Sequence, residues 1–292
     1  MLTKRTVFVL GAGASKPFGF PTGAELYQNV VDNLVEGPHR DFLQTEAGYS
    51  ASDIKAFRNA LFRSGKNSVD AFLEHRPEFM DIGKAAIARM LVLREVEDAL
   101  FRAQDNWLRY AYERLSASFE QFGSNPMSFV TFNYDRSVEH FLFTAIQNTY
   151  GKNDDECREL MSKIPIIHLR GRLGFLPWER NGGRRYENTV DMRVLRYCID
   201  NIKIVSEDIT DRDKEFSAAK TLLTDAEQIY FLGFGYAPTN MHRLNIEHLG
   251  SGYGLTANEV ASIIKAGKGA FSTEIDRALD CLHFVRSLVD WS

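Results

Sequence analysis

The chain has 292 residues, 44% of them hydrophobic and 25% charged, enough to fold a full core together with a large insertion or a second domain. Its formal net charge of -4 gives no electrostatic footprint for nucleic acid or an anionic membrane surface. Three widely spaced cysteines, Cys157, Cys198 and Cys281, exclude a disulfide framework and a paired C-x-x-C zinc site, and fit a reducing compartment.

No charged leader with a long apolar stretch and cleavage site is present near the amino terminus, and no apolar run is long enough to span a bilayer; the expected location is the cytoplasm. The first element is Thr6–Leu10, TVFVL, a β-branched and aromatic run that reads as a strand buried on both faces. It runs directly into Gly11-Ala12-Gly13-Ala14-Ser15. Such a loop is either a phosphate cradle at the first βα turn or a tight turn in an apolar sheet. In the first case the glycines take positive φ and bring backbone N–H groups to an anion at the next helix start.

From about Ala24 to Gln121 apolar residues recur every three or four positions, in AELYQNVVDNLV, SDIKAFRNALF, VDAFLEH and the long stretch Gly83–Leu115. That period predicts a helical block. Gly123, Asn125 and Pro126 end it. Strand signals return at MSFVTF, IPIIHL, IKIVS and EQIYFLGFG. Helical stretches lie between or after them at RSVEHFLFTAIQNTY, TVDMRVLRYCIDN, DKEFSAAKTLLT, ANEVASIIKAG and TEIDRALDCLHFVRSLVDW. Strands alternating with helices predict an α/β fold, a doubly wound parallel Rossmann-like sheet. Residues 1–24 and 122–292 form the sheet domain in this reading, and 25–121 a helical insertion after the first strand.

In such a sheet ligands gather beyond the carboxyl ends of the strands. FVTFNYD puts Asn133 and Asp135 past one strand, with Asp135 also suited to cap the helix that begins near Arg136. IIHLRG puts His168 and Arg170 two residues apart, on one strand face by the period-2 rule. YFLGFG ends a further strand at Gly233-Phe234-Gly235, a turn that admits a sugar or base close to the backbone. Arg170, Arg172, Arg180, Arg184 and Arg185 are the one notable basic concentration, read as a solvated loop rather than a polyanion groove. The remaining histidines have no i, i+4 metal spacing, and no metal is called for.

GAGAS, FNYD, HLRG and GFG, in that order on an interrupted doubly wound sheet, resemble the sirtuin family. The closer likeness is to the sirtuin-like NAD-consuming domains of bacterial anti-phage defence systems. The turn Gly19-Phe20-Pro21-Thr22-Gly23 and the stretch SVDAFLEHR at Ser68–Arg76 are similar to those proteins as well. The resemblance implies that Gly11, Ala12, Gly13, Ala14 and Ser15, with Thr22, Gly233, Phe234 and Gly235, line NAD. It also implies that Asn133 and Asp135 hold the nicotinamide ribose and the attacking water. The family histidine directly precedes a glycine; here Arg170 stands at that place and His168 two positions upstream. Two readings follow: His168 reaches a ribose hydroxyl or water as a base, or His168 is structural, Asn133 carries the chemistry and Arg170 holds phosphate.

Three scattered cysteines cannot build the zinc module of the protein deacylases, and their D-F-R triplet is missing. Water is therefore the expected acceptor, and the expected reaction is hydrolysis of NAD to nicotinamide and ADP-ribose. The resemblance further implies control by assembly, as a homo-oligomer or beside a HerA-type hexameric ATPase. The alternatives are a silent sensor or scaffold subunit that binds NAD or ADP-ribose, and an NAD-dependent transferase.

Overall fold

The computed structural model describes residues 1–115, 117–204, 214–235 and 280–291, and the backbone of 249–251 and 274–276. Strands β1 (Thr6–Leu10), β2 (Met127–Thr131), β3 (Ile166–His168), β4 (Gln228–Leu232), β5 (Leu249–Ser251) and β6 (Glu274–Asp276) form one sheet. Their order is β3-β2-β1-β4-β5-β6, and every pairing is parallel. The chain builds outward from β1 to β2 and β3 on one side, then returns to lay β4 against its other edge. That reversal is the topological switch point of a doubly wound sheet, the position at which such sheets commonly bind ligands.

Alternation along the strands sorts the core into two faces. Phe8, Leu10, Met127, Phe129, Tyr230 and Leu232 face one apolar cluster. Val7, Val9, Val130, Leu169 and Phe231 face the other. The register places Phe8 between Phe129 and Tyr230, and its ring stacks on both at 5.5 and 5.8 Å.

Between β1 and β2 the chain is helical: α1 (Gly23–Asn33), α2 (Pro38–Thr45), α3 (Ala51–Arg63), α4 (Val69–Leu73), α5 (Met80–Val92), α6 (Glu97–Arg102), α7 (Trp107–Arg114) and α8 (Phe119–Phe122). These helices share the Phe8 cluster with the sheet, so the block is packed onto one face. Helix α9 (Ser137–Tyr150) follows β2, and α10 (Asp154–Met161) precedes β3. Helix α11 (Met192–Asn201) and α12 (Lys214–Asp225) precede β4, and α13 (Cys281–Ser287) lies near the end of the chain. Helix α12 covers the opposite face through Phe216, Ala219 and Leu223.

One sequence expectation holds and two are corrected. The stretch Gly83–Leu115 is helical as expected, in three helices, because Glu95 turns inward as a fully buried ion-pair partner and Asn106 starts a new helix. The Asn106 amide oxygen accepts from Arg109 N at 3.0 Å while its Nδ2 donates to Leu100 O at 2.7 Å. Within IKIVS, Ile202 forms a single antiparallel bridge to Gly171 at the end of α11, and residues 202–204 form no strand. In TEIDRALDCLHFVRSLVDW, Glu274–Asp276 is strand β6, and Asp280 is the N-cap of helix α13, its carboxylate accepting from His283 N at 2.9 Å. The expected helix ANEVASIIKAG lies outside the described residues.

The start of α9 is pinned by a buried charge cluster. Arg136, with no exposed surface, donates to both oxygens of Glu95, Nε at 2.9 Å and Nη2 at 2.7 Å. Its other donors reach the carbonyls of Arg184 and Arg185, each at 2.9 Å, and Arg184 itself reaches Glu95. A bidentate pair with its spare donors on carbonyls satisfies the charge that burial would otherwise penalise. The result is a fixed junction of three segments: the α5–α6 turn, the entry to α9 and the loop 175–186.

Candidate active site

The carboxyl ends of β1, β2, β3 and β4 lie side by side. Leu10, Thr131 and His168 share one register level, and Leu232 pairs with Leu10 from the other side. The loops that follow, Gly11–Ser15, Phe132–Arg136, Leu169–Gly171 and Gly233–Gly235, converge there.

The two glycine loops pack on each other. Gly11 N donates to Leu232 O at 3.0 Å and Gly13 N to Gly233 O at 2.9 Å, while Ala14 N donates back to Gly11 O at 3.0 Å. A Cβ on Gly11 would stand 2.5 Å from Gly233 O, and one on Gly13 2.8 Å from Gly233 Cα. Of these three glycines only Gly233 has positive φ, at 57°. The expectation of positive φ at Gly11 and Gly13 is thus corrected: they are glycines because backbone meets backbone at the switch point. The segment Ala12–Phe18 is a 3-10 helix. Trp107 Nε1 donates to Ala14 O at 2.7 Å and so braces it from the helical block.

A buried polar relay connects this loop to the end of β2. Asn133 Nδ2 donates to Gly11 O at 2.9 Å and to Ser15 Oγ at 3.1 Å. Ser15 Oγ donates in turn to Asp135 Oδ2 at 2.7 Å, and Asp135 Oδ1 accepts from Ser137 N at 3.1 Å. Gly11 O can only accept, so the amide orientation of Asn133 is fixed. Both Nδ2 hydrogens are then used, and among the described residues Asn133 Oδ1 has no hydrogen-bond partner. Burial raises the Asp135 carboxyl above its ordinary range, and Glu139 adds to the rise, while the Ser137 and Ser15 bonds oppose it. Asp135 thus both supports Ser15 and, from the position before the N-cap Arg136, accepts from the first backbone N–H of α9.

His168 closes the other side of Asn133. Its Nδ1 donates to the Asn133 carbonyl at 2.9 Å, and its Nε2 lies 2.5 Å from Glu139 Oε1 on α9. Glu139 also meets Arg172 at 3.3 Å, and Arg172 meets Glu179 at 2.6 Å. Burial opposes the charge on Glu139, but His168 and Arg172 outweigh it and hold the carboxyl down to about 2. Both ring nitrogens of His168 are therefore engaged within the protein.

The expected sharing of a strand face by His168 and Arg170 is corrected: β3 ends at His168, and Arg170 lies in the turn beyond it, where it pairs with Asp70 of α4 at 3.2 Å. Tyr134 OH donates to the same carboxylate, and burial followed by Asp70 raises its hydroxyl well above the ordinary tyrosine value. The reading of the five arginines as a solvated loop is corrected. Arg184 is buried on Glu95 and Arg172 bridges Glu139 and Glu179, whereas Arg180 and Arg185 are exposed. Carboxylates from other segments draw these side chains inward.

Among the remaining sequence candidates, Thr22 is held in the capping box of α1: its Oγ1 accepts from Glu25 N at 3.3 Å and its N donates to Glu25 Oε2 at 2.8 Å. Phe234 is buried in the second apolar cluster, edge-on to Phe132 at 5.1 Å. Gly235 is exposed and Ala12 half-buried. Sequence reasoning missed Asp70, Trp107 and Glu139. The usable signal for Glu139 was a carboxylate set within the otherwise apolar run SVEHFLF. Among the described residues no group of three or more histidine, cysteine or acidic side chains is placed to hold a metal, and no helix is long and apolar enough to cross a membrane. No protein-family profile matches the chain, and no curated protein sequence matches it significantly.

Proposed function

We propose that the chain binds NAD across the carboxyl edge of the sheet, at the β1/β4 switch point, and hydrolyses it to nicotinamide and ADP-ribose. The observation that carries this reading is the Asn133 side chain: its amide nitrogen is saturated by Gly11 and Ser15, which leaves Oδ1 as a rigid acceptor in the loop past the carboxyl end of β2. A fixed acceptor suits a ribose hydroxyl or an attacking water. Two other features support the reading, the strand order with its switch point and the order of the short motifs shared with sirtuin-like defence proteins.

In the reaction the bond from the ribose C1 carbon to the nicotinamide nitrogen breaks, and its electron pair neutralises the departing ring. Because that leaving group is already a cation, no acid is needed. Water adds to C1 from the opposite face and gives up one proton to bulk water. Asn133 aligns the water and the ribose hydroxyls against an oxocarbenium-like centre. His168 acts here as a positioning residue, since its Nδ1 holds the Asn133 carbonyl and its Nε2 is tied to Glu139. Assembly as a homo-oligomer, or with a HerA-type ATPase, is the proposed control on an activity that would otherwise drain the host's NAD.

The second reading, a sensor that binds NAD without cleaving it, draws on the same engaged imidazole, which leaves no free base on His168. Chromatography of NAD incubated with the protein, alone and assembled, separates the two. Hydrolysis yields nicotinamide and ADP-ribose in equal amounts, and bound but intact NAD assigns the sensor role. Within the hydrolase reading, His168→Asn keeps a side-chain N–H near the place of Nδ1. It is expected to retain at least tenfold more activity than His168→Ala; equal loss in both makes His168 the base.

A further inference from the structure

On the helical block, the end of α3, the α3–α4 turn and the end of α4 line an open groove of about 560 Å³. Its lining includes Arg63, Lys66, His75 and Arg76, with Asn59 and Ser64, and no carboxylate. In a chain of net charge -4 this is a local reversal of sign.

The groove is held in shape. Ser64 Oγ donates to Leu61 O at 2.7 Å and accepts from Lys66 N at 3.1 Å, and Gly65 takes φ 69° between them. This turn carries Arg63 and Lys66 on either side of the bend. Arg76 is fixed by Glu78 at 2.6 Å and by the Phe79 ring, 4.9 Å from its guanidinium carbon. Buried Phe72 forms an apolar wall.

The side chains of Arg63, Lys66 and His75 have no ion pair or hydrogen bond among the described residues. Elsewhere the arginines at the carboxyl edge are consumed by carboxylates, as in Arg170 with Asp70 and Arg172 with Glu179. The like charges of Arg63 and Lys66, which no carboxylate of the lining offsets, repel one another, and buried Phe72 lowers the dielectric on one side of the groove. An anion that enters relieves that repulsion. The volume falls in the range of small-molecule sites.

We propose that this groove binds a phosphorylated small molecule of nucleotide size, with Arg63 and Lys66 as its phosphate partners. None of the residues that line it belongs to the proposed NAD site, although Asp70, on the same helix α4, pairs with Arg170. Binding here stands whether or not NAD is cleaved.

The test is calorimetric titration of the full chain with inorganic pyrophosphate and with AMP, using wild type, Arg63→Gln/Lys66→Gln and Asn133→Ala. Arg63 and Lys66 are both exposed, so the double variant is expected to fold, which circular dichroism checks. The expected result is saturable binding to wild type, at least tenfold weaker in the double variant and unchanged in Asn133→Ala. No saturable binding of either probe overturns the proposal, as does equal affinity in the double variant. Tight, steeply salt-dependent binding of a single-stranded 20-mer that AMP does not displace also overturns it, in favour of a nucleic-acid site.

Discussion

Ser15 donates its hydroxyl to Asp135 at 2.7 Å across an interval of 120 residues, and this one bond joins the loop after β1 to the entry of α9. Ser15 Oγ also accepts from Asn133, so a single hydroxyl sets both the amide and the carboxyl. Ser15→Ala leaves Asp135 buried with one donor fewer and Asn133 with one acceptor fewer. The expected cost is about 1–3 kcal/mol of stability, read by urea unfolding, together with weaker NAD turnover. A variant as stable as wild type would mean that the relay carries no energy.

Gly233→Ala is expected to be among the most damaging single substitutions. Its Cβ would lie 1.9 Å from Ala14 N and 2.2 Å from Gly13 C, at a φ of 57°, and the expected loss exceeds about 3 kcal/mol. Gly235→Ala, where a Cβ meets nothing within 4 Å, is expected to stay within about 0.5 kcal/mol of wild type. Thermal melts of the two variants check the contrast, and equal melting temperatures would contradict the packing described at the switch point.

The acid limb of stability is expected to depend on Glu139. Its carboxyl falls from the ordinary 4.5 to about 2 in the folded chain, so its contribution is present above about 4.5 and lost as pH falls toward about 2. Burial raises Asp135 and Glu179 instead, and their contribution has the opposite sign, lost as pH rises through their folded values. Glu139→Gln should therefore lower the melting temperature at neutral pH but lose less of it than wild type between about pH 5 and pH 3. Parallel pH profiles would show that the His168–Glu139 pair does not form.

Much of the sheet and part of the site are legible in the sequence. A β-branched run ending in Gly11-Ala12-Gly13 marks the central strand, and Asn133 and Asp135 stand past the end of a second strand, where a ligand edge belongs. The partners of those residues are not legible, because they are set by tertiary packing. Glu139 reaches His168 only because α9 lies against β3, and Asp70 reaches Arg170 only because α4 folds back onto the sheet edge. Local periodicity also overstates helix length: Glu95 breaks a strongly helical stretch because it is drawn inward by Arg136 and Arg184. Strand β6 lies within a segment that reads as helix, and it is its parallel pairing to β5 that makes it a strand.

Nicotinamide release from NAD by wild type and Asn133→Ala, with NAD affinity measured on both, tests the proposed role of Asn133. With that role, Asn133→Ala is expected to bind NAD within about threefold of wild type while nicotinamide release falls by about 10²-fold or more. Release at the wild-type rate from Asn133→Ala, or a wild type that binds NAD and releases no nicotinamide alone or assembled, would contradict it.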